Sequence, residues 1–186
     1  MFFLGIKLEI EGNLDESCDL ILINHQSMLD IIVMEHLHSR NIAWVAKKEI
    51  TDLFFFGHII KAPRMISINR ENKAGLIHLL SEVKDRLSKG RPIAMFPEGT
   101  RSDGTYIGEF KAGAKMVGNK FNLKVQPVVM FNTRNIVNSQ KMEASPGVVK
   151  VIYLKPVVAS KDTSWYEDCE KNMKEVFEKE YKNYVS

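Results

Sequence analysis

The sequence predicts an α/β domain, a mixed and mainly parallel β-sheet flanked by helices. Three observations lead there. Short apolar runs rich in β-branched residues recur along the chain, and segments between several of them carry helical spacing. At 186 residues and 45% hydrophobic, the chain can bury one sizeable core but is too short to expect two. Residues 1–186 are therefore expected to form a single domain, with its motif-bearing core at about 20–154.

The strand candidates are Leu20 to Ile23, Ile42 to Val45, Met65 to Ile68, Ile93 to Phe96, Val125 to Met130 and Val149 to Leu154. Asn72 is placed to cap a helix whose Leu76, Leu80, Val83 and Leu87 form one stripe, closed by Gly90 and Pro92. A last amphipathic helix is expected over about 163–184, where Trp165, Cys169, Met173, Phe177 and Tyr184 recur at near-helical intervals among Lys and Glu. Asn132 to Gly147 is polar and without periodicity, so it reads as a loop or short excursion. No internal repeat or low-complexity linker is present.

Composition excludes several classes. The net charge of +3 is small and its basic residues are interspersed with acidic ones, so nucleic acid is not an expected partner, although a locally basic face can meet phosphate or anionic lipid. Cys18 and Cys169 fall in no metal or redox spacing and read as ordinary thiols. The opening Met1-Phe2-Phe3-Leu4-Gly5-Ile6 stops at Lys7, far short of the roughly 20 residues a spanning helix needs, and it lacks the flanks of a signal peptide.

Two motifs follow strand candidates, where ligands bind in open α/β sheets. The first is Asn24-His25-Gln26-Ser27-Met28-Leu29-Asp30. On one continuous helix His25 and Asp30 would lie about 140° apart, so a cooperating pair requires His25 in the strand-to-helix loop and Asp30 in the first helical turn. The carboxylate would then hold one imidazole nitrogen and leave the other free to take a proton from a hydroxyl. The same residues also fit a capping box, with Ser27 as cap and Asp30 three residues on, and the two readings are compatible. His36, His38, His58 and His78 have no comparable partner and read as surface or core histidines.

The second motif is Phe96-Pro97-Glu98-Gly99-Thr100-Arg101-Ser102. Pro97 ends sheet pairing, Gly99 allows close backbone approach, and Arg101 and Thr100 offer donors suited to phosphate oxygens. Glu98 is expected to orient Arg101 or a substrate hydroxyl, with a plain salt bridge as the alternative. The loop lacks the G-x-x-x-x-G-K-[ST] pattern, which disfavours nucleotide hydrolysis. Arg70, after the third strand candidate, and Lys111, in Phe110-Lys111-Ala112-Gly113-Ala114, are further cations for such a phosphate pocket.

These residues resemble the glycerolipid acyltransferases, most closely the 1-acyl-glycerol-3-phosphate acyltransferases. Asn24, His25 and Asp30 match that family's N-H-x-x-x-x-D motif, and Phe96 to Ser102 match F-P-E-G-T-R-S throughout. Asn69-Arg70 keeps the arginine of a segment that usually ends Asp-Arg, and Val125-Gln126-Pro127-Val128 keeps one proline of a later Val-Pro motif. The resemblance covers roughly Leu20 to Leu154.

It implies transfer of an acyl group from a thioester to the sn-2 hydroxyl of lysophosphatidate. His25 and Asp30 would be catalytic, while Arg70, Glu98, Gly99, Thr100, Arg101 and Lys111 would bind substrate. No metal or bound cofactor is implied, because acyl-CoA or acyl carrier protein serves as cosubstrate. The alternatives are another acceptor, such as glycerol 3-phosphate or a lysophospholipid, or a phospholipid-binding module without turnover. A location on the cytoplasmic face of a membrane is expected, without a spanning helix in this chain. Relatives commonly carry hydrophobic helices before the first motif, so a chain with 24 residues before His25 is either part of a longer one or attaches at the surface. The segment from Lys47 to Lys61 sets Leu53-Phe54-Phe55-Phe56 between lysines, suiting either a membrane interface or a helix packed on the sheet.

Overall fold

The computed structural model describes residues 5–47, 65–68, 73–138, 141 and 143–185. Its main sheet follows the order β1 (Ile6–Glu11), β9 (Gly147–Tyr153), β6 (Lys124–Phe131), β2 (Leu20–Ile23), β5 (Ile93–Met95), β3 (Ala43–Lys47) and β4 (Ile66–Ile68), and β10 (Val157–Val158) pairs with β6 off this path. The pairings are parallel except β6 with β9 and β6 with β10. The predicted mixed, mainly parallel sheet is therefore present, and each of the six predicted strands falls within two residues of an observed one.

Strand β2 lies at the centre because all four of its residues are apolar and buried on both faces. Leu20 and Leu22 join the core that includes Leu79 and Val83 of α2 (Lys73–Ser88), Val117 of α3 (Ala112–Phe121), and Trp165 and Cys169 of α5 (Trp165–Val185). Ile21 and Ile23 meet Leu29, Val33 and Met34 of α1 (Leu29–Leu37) on the opposite face. Alternation of side chains along one strand thus glues a helix layer to each side. A third cluster joins Val129, Phe131 and Ile152 to Met173 and Phe177 of α5.

Helix α2 and helix α5 match the two predicted helices; the proposed cap Asn72 lies outside the described residues. Gly90 has φ of 69°, a left-handed conformation that lets the chain leave α2 at the place the sequence indicates. Strand β1 was not predicted, although Ile6-Lys7-Leu8-Glu9-Ile10-Glu11 alternates as a sheet-edge strand should. Helix α3 also escapes sequence reading, since glycines interrupt its short run. The polar stretch 132–147 carries α4 (Thr133–Ile136) and a small ladder of β7 (Val137–Asn138) with β8 (Glu143–Ala144), so it is more ordered than a loop.

The three parallel neighbours β5, β2 and β6 end at the same edge of the sheet, with Leu22 beside Met95 and Ile23 beside Val128. Segments 96–102, 24–30 and 132–133 therefore leave the sheet side by side. Among the described residues no helix is long and apolar enough to cross a membrane.

Gly118 of α3 lies directly under the Trp165 ring of α5. A Cβ there would lie 2.7 Å from Cζ2 of the buried Trp165 ring, whose Nε1 donates to Asn119 Oδ1 at 2.8 Å. The rigid indole cannot give way without breaking that bond. Substituting Gly118→Ala is expected to destabilise the protein by about 1–3 kcal/mol, from overpacking, in urea unfolding. Trp165 fluorescence should report the shift directly.

Candidate active site

Asn24 closes the central sheet before the chain turns away. Its Nδ2 donates to the Met130 carbonyl at 2.9 Å and its Oδ1 accepts from Met130 N at 2.7 Å. The side-chain amide thus mimics one more residue of β2 to β6 pairing. His25 follows in the loop, as the spacing argument requires.

His25 Nδ1 lies 2.9 Å from Asp30 Oδ2, in α1's first turn. The same oxygen accepts from Gln26 N at 2.8 Å and Ser27 N at 2.9 Å. Asp30 therefore acts both as the imidazole's partner and as the returning half of a capping box. The other half is partial: Ser27 Oγ accepts from Leu29 N at 3.2 Å and donates to the Val137 carbonyl at 2.6 Å. Asp30 Oδ1 accepts from the Thr133 hydroxyl. Asp30 is fully buried, whereas the His25 side chain keeps 12% of its surface exposed.

An ionised carboxylate only accepts hydrogen bonds, so neutral His25 must carry its proton on Nδ1. Nε2 then has the free lone pair, and no side chain among the described residues claims it. The Phe96 ring stacks on the imidazole at 3.7 Å between centroids and 12° between planes, and Trp44 stacks on Phe96 at 5.3 Å. This holds the ring flat against the wall of the site.

The second motif is tied to the first through backbone. Glu98 Oε1 accepts from His25 N and Oε2 from Gly108 N, both at 2.7 Å. The expectation that Glu98 orients Arg101 or a substrate hydroxyl is thus corrected: in its buried position both oxygens turn to main-chain amides. Burial raises its pKa to about 7, against the pull of the Gly108 and His25 amides, while the Asp30 charge adds to the rise. Ser102 N donates to the His25 carbonyl at 2.8 Å, holding the loop beside the imidazole.

Gly99 takes φ of 74° as its N–H closes a turn onto the Phe96 carbonyl at 3.1 Å. Thr100 and Arg101 come next, with exposed side chains. Among the described residues none pairs with the Arg101 guanidinium. Lys111 N donates to the Pro97 carbonyl and its own carbonyl accepts from Tyr166, both at 2.7–2.8 Å, while its ammonium stays exposed 3.8 Å from Glu109. Arg70 and His58 lie outside the described residues, as does nearly all of the segment from Lys47 to Lys61.

His36 and His78 are exposed; His38 is buried and accepts from Arg40 N at 3.0 Å. Cys18 and Cys169 are free, and burial pushes their thiols up to about 11 and about 12, which keeps them unreactive. Among the described residues no group of three or more His, Cys, Asp or Glu side chains is arranged to hold a metal. Sequence reading missed Thr133. Nothing in its own neighbourhood marks it, and only strand order brings it to Asp30.

A base with one free nitrogen, fixed by a buried carboxylate beside an exposed cationic loop, matches a known family. The family described as Acyltransferase matches residues 6–131, well over half of the chain. The chain belongs to the acyltransferase family. It is 41% identical over 182 residues to the 1-acyl-sn-glycerol-3-phosphate acyltransferase of Helicobacter pylori, covering 95% of this chain and 76% of that protein. It is also 31% identical to the lyso-ornithine lipid O-acyltransferase of Brucella abortus, over 70% of this chain and 51% of that one. Among solved structures, the 1-acyl-sn-glycerophosphate acyltransferase PlsC from Thermotoga maritima superposes with a TM-score of 0.75 at 25% identity, covering 98% of this chain and 74% of that one.

Glu98 gives this acyltransferase a pH-dependent stability. Its folded pKa of about 7 exceeds the ordinary 4.5, so the folded protein binds this proton more tightly than the unfolded chain does. Stability relative to Glu98→Gln should fall as pH rises from 4.5 through about 7, by up to about 3 kcal/mol, with no further change above that window. Urea unfolding of both proteins at pH 5 and pH 8 measures the difference.

Proposed function

We propose that this acyltransferase moves a fatty acyl group from an acyl thioester to the sn-2 hydroxyl of 1-acyl-glycerol 3-phosphate, forming phosphatidic acid. The observation that carries the reading is His25, held through Nδ1 by Asp30 and free at Nε2, beside the exposed Arg101 loop. The names of the H. pylori and T. maritima relatives support the same acceptor.

The acceptor hydroxyl gives its proton to His25 Nε2 as its oxygen bonds to the thioester carbonyl carbon. The resulting tetrahedral adduct expels sulfur, and the proton on Nε2 passes to the departing thiolate. Asp30 stabilises the imidazolium between the two transfers. Arg101 and Thr100 bind the glycerol phosphate, with Arg70 and Lys111 as further cations; Gly99 lets the backbone approach it. Glu98 serves the pocket by fixing the His25 backbone and the loop as far as Gly108.

The donor is acyl-CoA or acyl carrier protein, consumed as a cosubstrate, and the reaction requires no metal or resident cofactor. Lysophosphatidate is an amphiphile that resides in bilayers, which supports action at a membrane surface, on its cytoplasmic face where these thioester donors are found. The lyso-ornithine relative favours one second reading, an acceptor without a phosphate. The exposed Arg101 guanidinium, a donor fork suited to two phosphate oxygens, favours the phosphorylated one.

Thiol release from acyl-CoA in mixed micelles tests this. Release should require lysophosphatidate and fall by about 10²- to 10⁴-fold in His25→Ala. Arg101→Ala should raise KM for lysophosphatidate by about tenfold or more, and Arg101→Lys should recover part of it. Equal rates with a lyso-ornithine lipid would shift the acceptor to that class. Undiminished turnover by His25→Ala would reject the mechanism.

A further inference from the structure

We propose that Thr133 is a positioning residue for the His25 and Asp30 pair, fixing the carboxylate so that His25 keeps its proton on Nδ1 and its lone pair on Nε2. The proposal deepens the acyl-transfer reading and rests on it. Thr133 lies outside both sequence motifs and two residues beyond the family match.

The carboxylate of Asp30 is buried, and its two oxygens have different jobs. Oδ2 takes three donors from its own loop, including His25 Nδ1. Oδ1 takes Thr133, from a different strand's end. Thr133 is itself fully buried. Its hydroxyl lies 3.2 Å from Gln26 Oε1, and the Gln26 Nε2 has no partner. One hydroxyl proton cannot serve both Asp30 and Gln26. Turning the Gln26 amide over exchanges oxygen for nitrogen in the same shape, so Nε2 donates to Thr133 and Thr133 to Asp30. The result is a relay from Gln26 through Thr133 and Asp30 to His25, whose bonds polarise one another.

The fold builds this contact deliberately at the end of β6. Asn132 adopts φ of 72°, reversing the chain immediately after the strand, and its Nδ2 donates to the Val148 carbonyl at 2.9 Å. The excursion then returns the Val137 carbonyl to Ser27 Oγ. The histidine loop is thereby gripped at both Ser27 and Asp30 by one segment.

Without the Thr133 hydroxyl, Oδ1 is a buried charged acceptor with no donor. The carboxylate relieves this by turning about its last bond or by taking a proton, and either change loosens Oδ2 from Nδ1. His25 then populates the tautomer protonated at Nε2, which cannot accept the substrate's proton.

The test compares Thr133→Val, Thr133→Ser and wild type, alone and with Asp30→Asn, by thiol release from acyl-CoA with lysophosphatidate in micelles. Ring ¹⁵N shifts of His25 in the full chain are recorded at a pH where it is neutral. Thr133→Val should lower kcat by about 10- to 100-fold with KM within about twofold, the scale of one hydrogen bond to a charged group. Thr133→Ser should restore kcat to within about threefold, and Thr133→Val should cost nothing more on Asp30→Asn. The two ring nitrogens should differ strongly in wild type and converge in Thr133→Val. Thr133→Ala replaces Thr133→Val if the latter does not fold. Wild-type kcat in Thr133→Val, a Thr133→Ser as impaired as Thr133→Val, a loss that adds fully to Asp30→Asn, or unmoved ring shifts would each overturn the proposal. If wild type releases no thiol, the acceptor reading fails, and the ring shifts alone still decide the role of Thr133.

Discussion

The site depends first on the fully buried carboxylate of Asp30. A charge removed from water is tolerated only when donors surround it, and Asp30 gathers donors from its own loop, from His25 and from Thr133. Those bonds stop the chain after β2, start α1 and orient the imidazole together. One carboxylate thus serves both the start of α1, through the Ser27 amide, and the imidazole of His25. Removing the carboxylate would release all three at once.

Around that point the fold works by adjacency. Parallel strands send their ends in one direction, so β5, β2 and β6 place three loops in a row although about seventy and one hundred residues separate them in the chain. The loops are then fastened to one another by backbone. Glu98 binds the His25 and Gly108 amides, Ser102 binds the His25 carbonyl, and Asn24 binds both backbone groups of Met130. Arg101 and Thr100 stay exposed, while Glu98, Ser102 and Asn24 are committed to geometry.

This division explains what the motifs revealed. His25 and Asp30 could be paired from their spacing, because both readings of that spacing demand the same loop-to-helix junction. Leu20 to Ile23 could be placed at the centre of a sheet, because four apolar residues in succession suit a strand covered on both faces. Glu98 could be recognised as part of the site but not given its task, since its partners are main-chain amides that have no signature in the side-chain sequence. Strand β1 carries a weaker signal, since its alternation follows directly on the apolar opening of the chain and only Ile6 is buried.

From sequence alone follow the residue types that chemistry requires and the local turns that present them: a base with its carboxylate, a proline and glycine that release a cationic loop, and apolar runs that must be buried. Local sequence determines these because capping, periodicity and turn chemistry act over a few residues. Tertiary structure alone decided which strands are neighbours, that Glu98 answers to backbone, and that Thr133 reaches Asp30 from a polar stretch with no periodicity. Those contacts join residues 73 and 103 positions apart. Their partners are chosen by sheet order, which depends on how all the apolar faces pack at once.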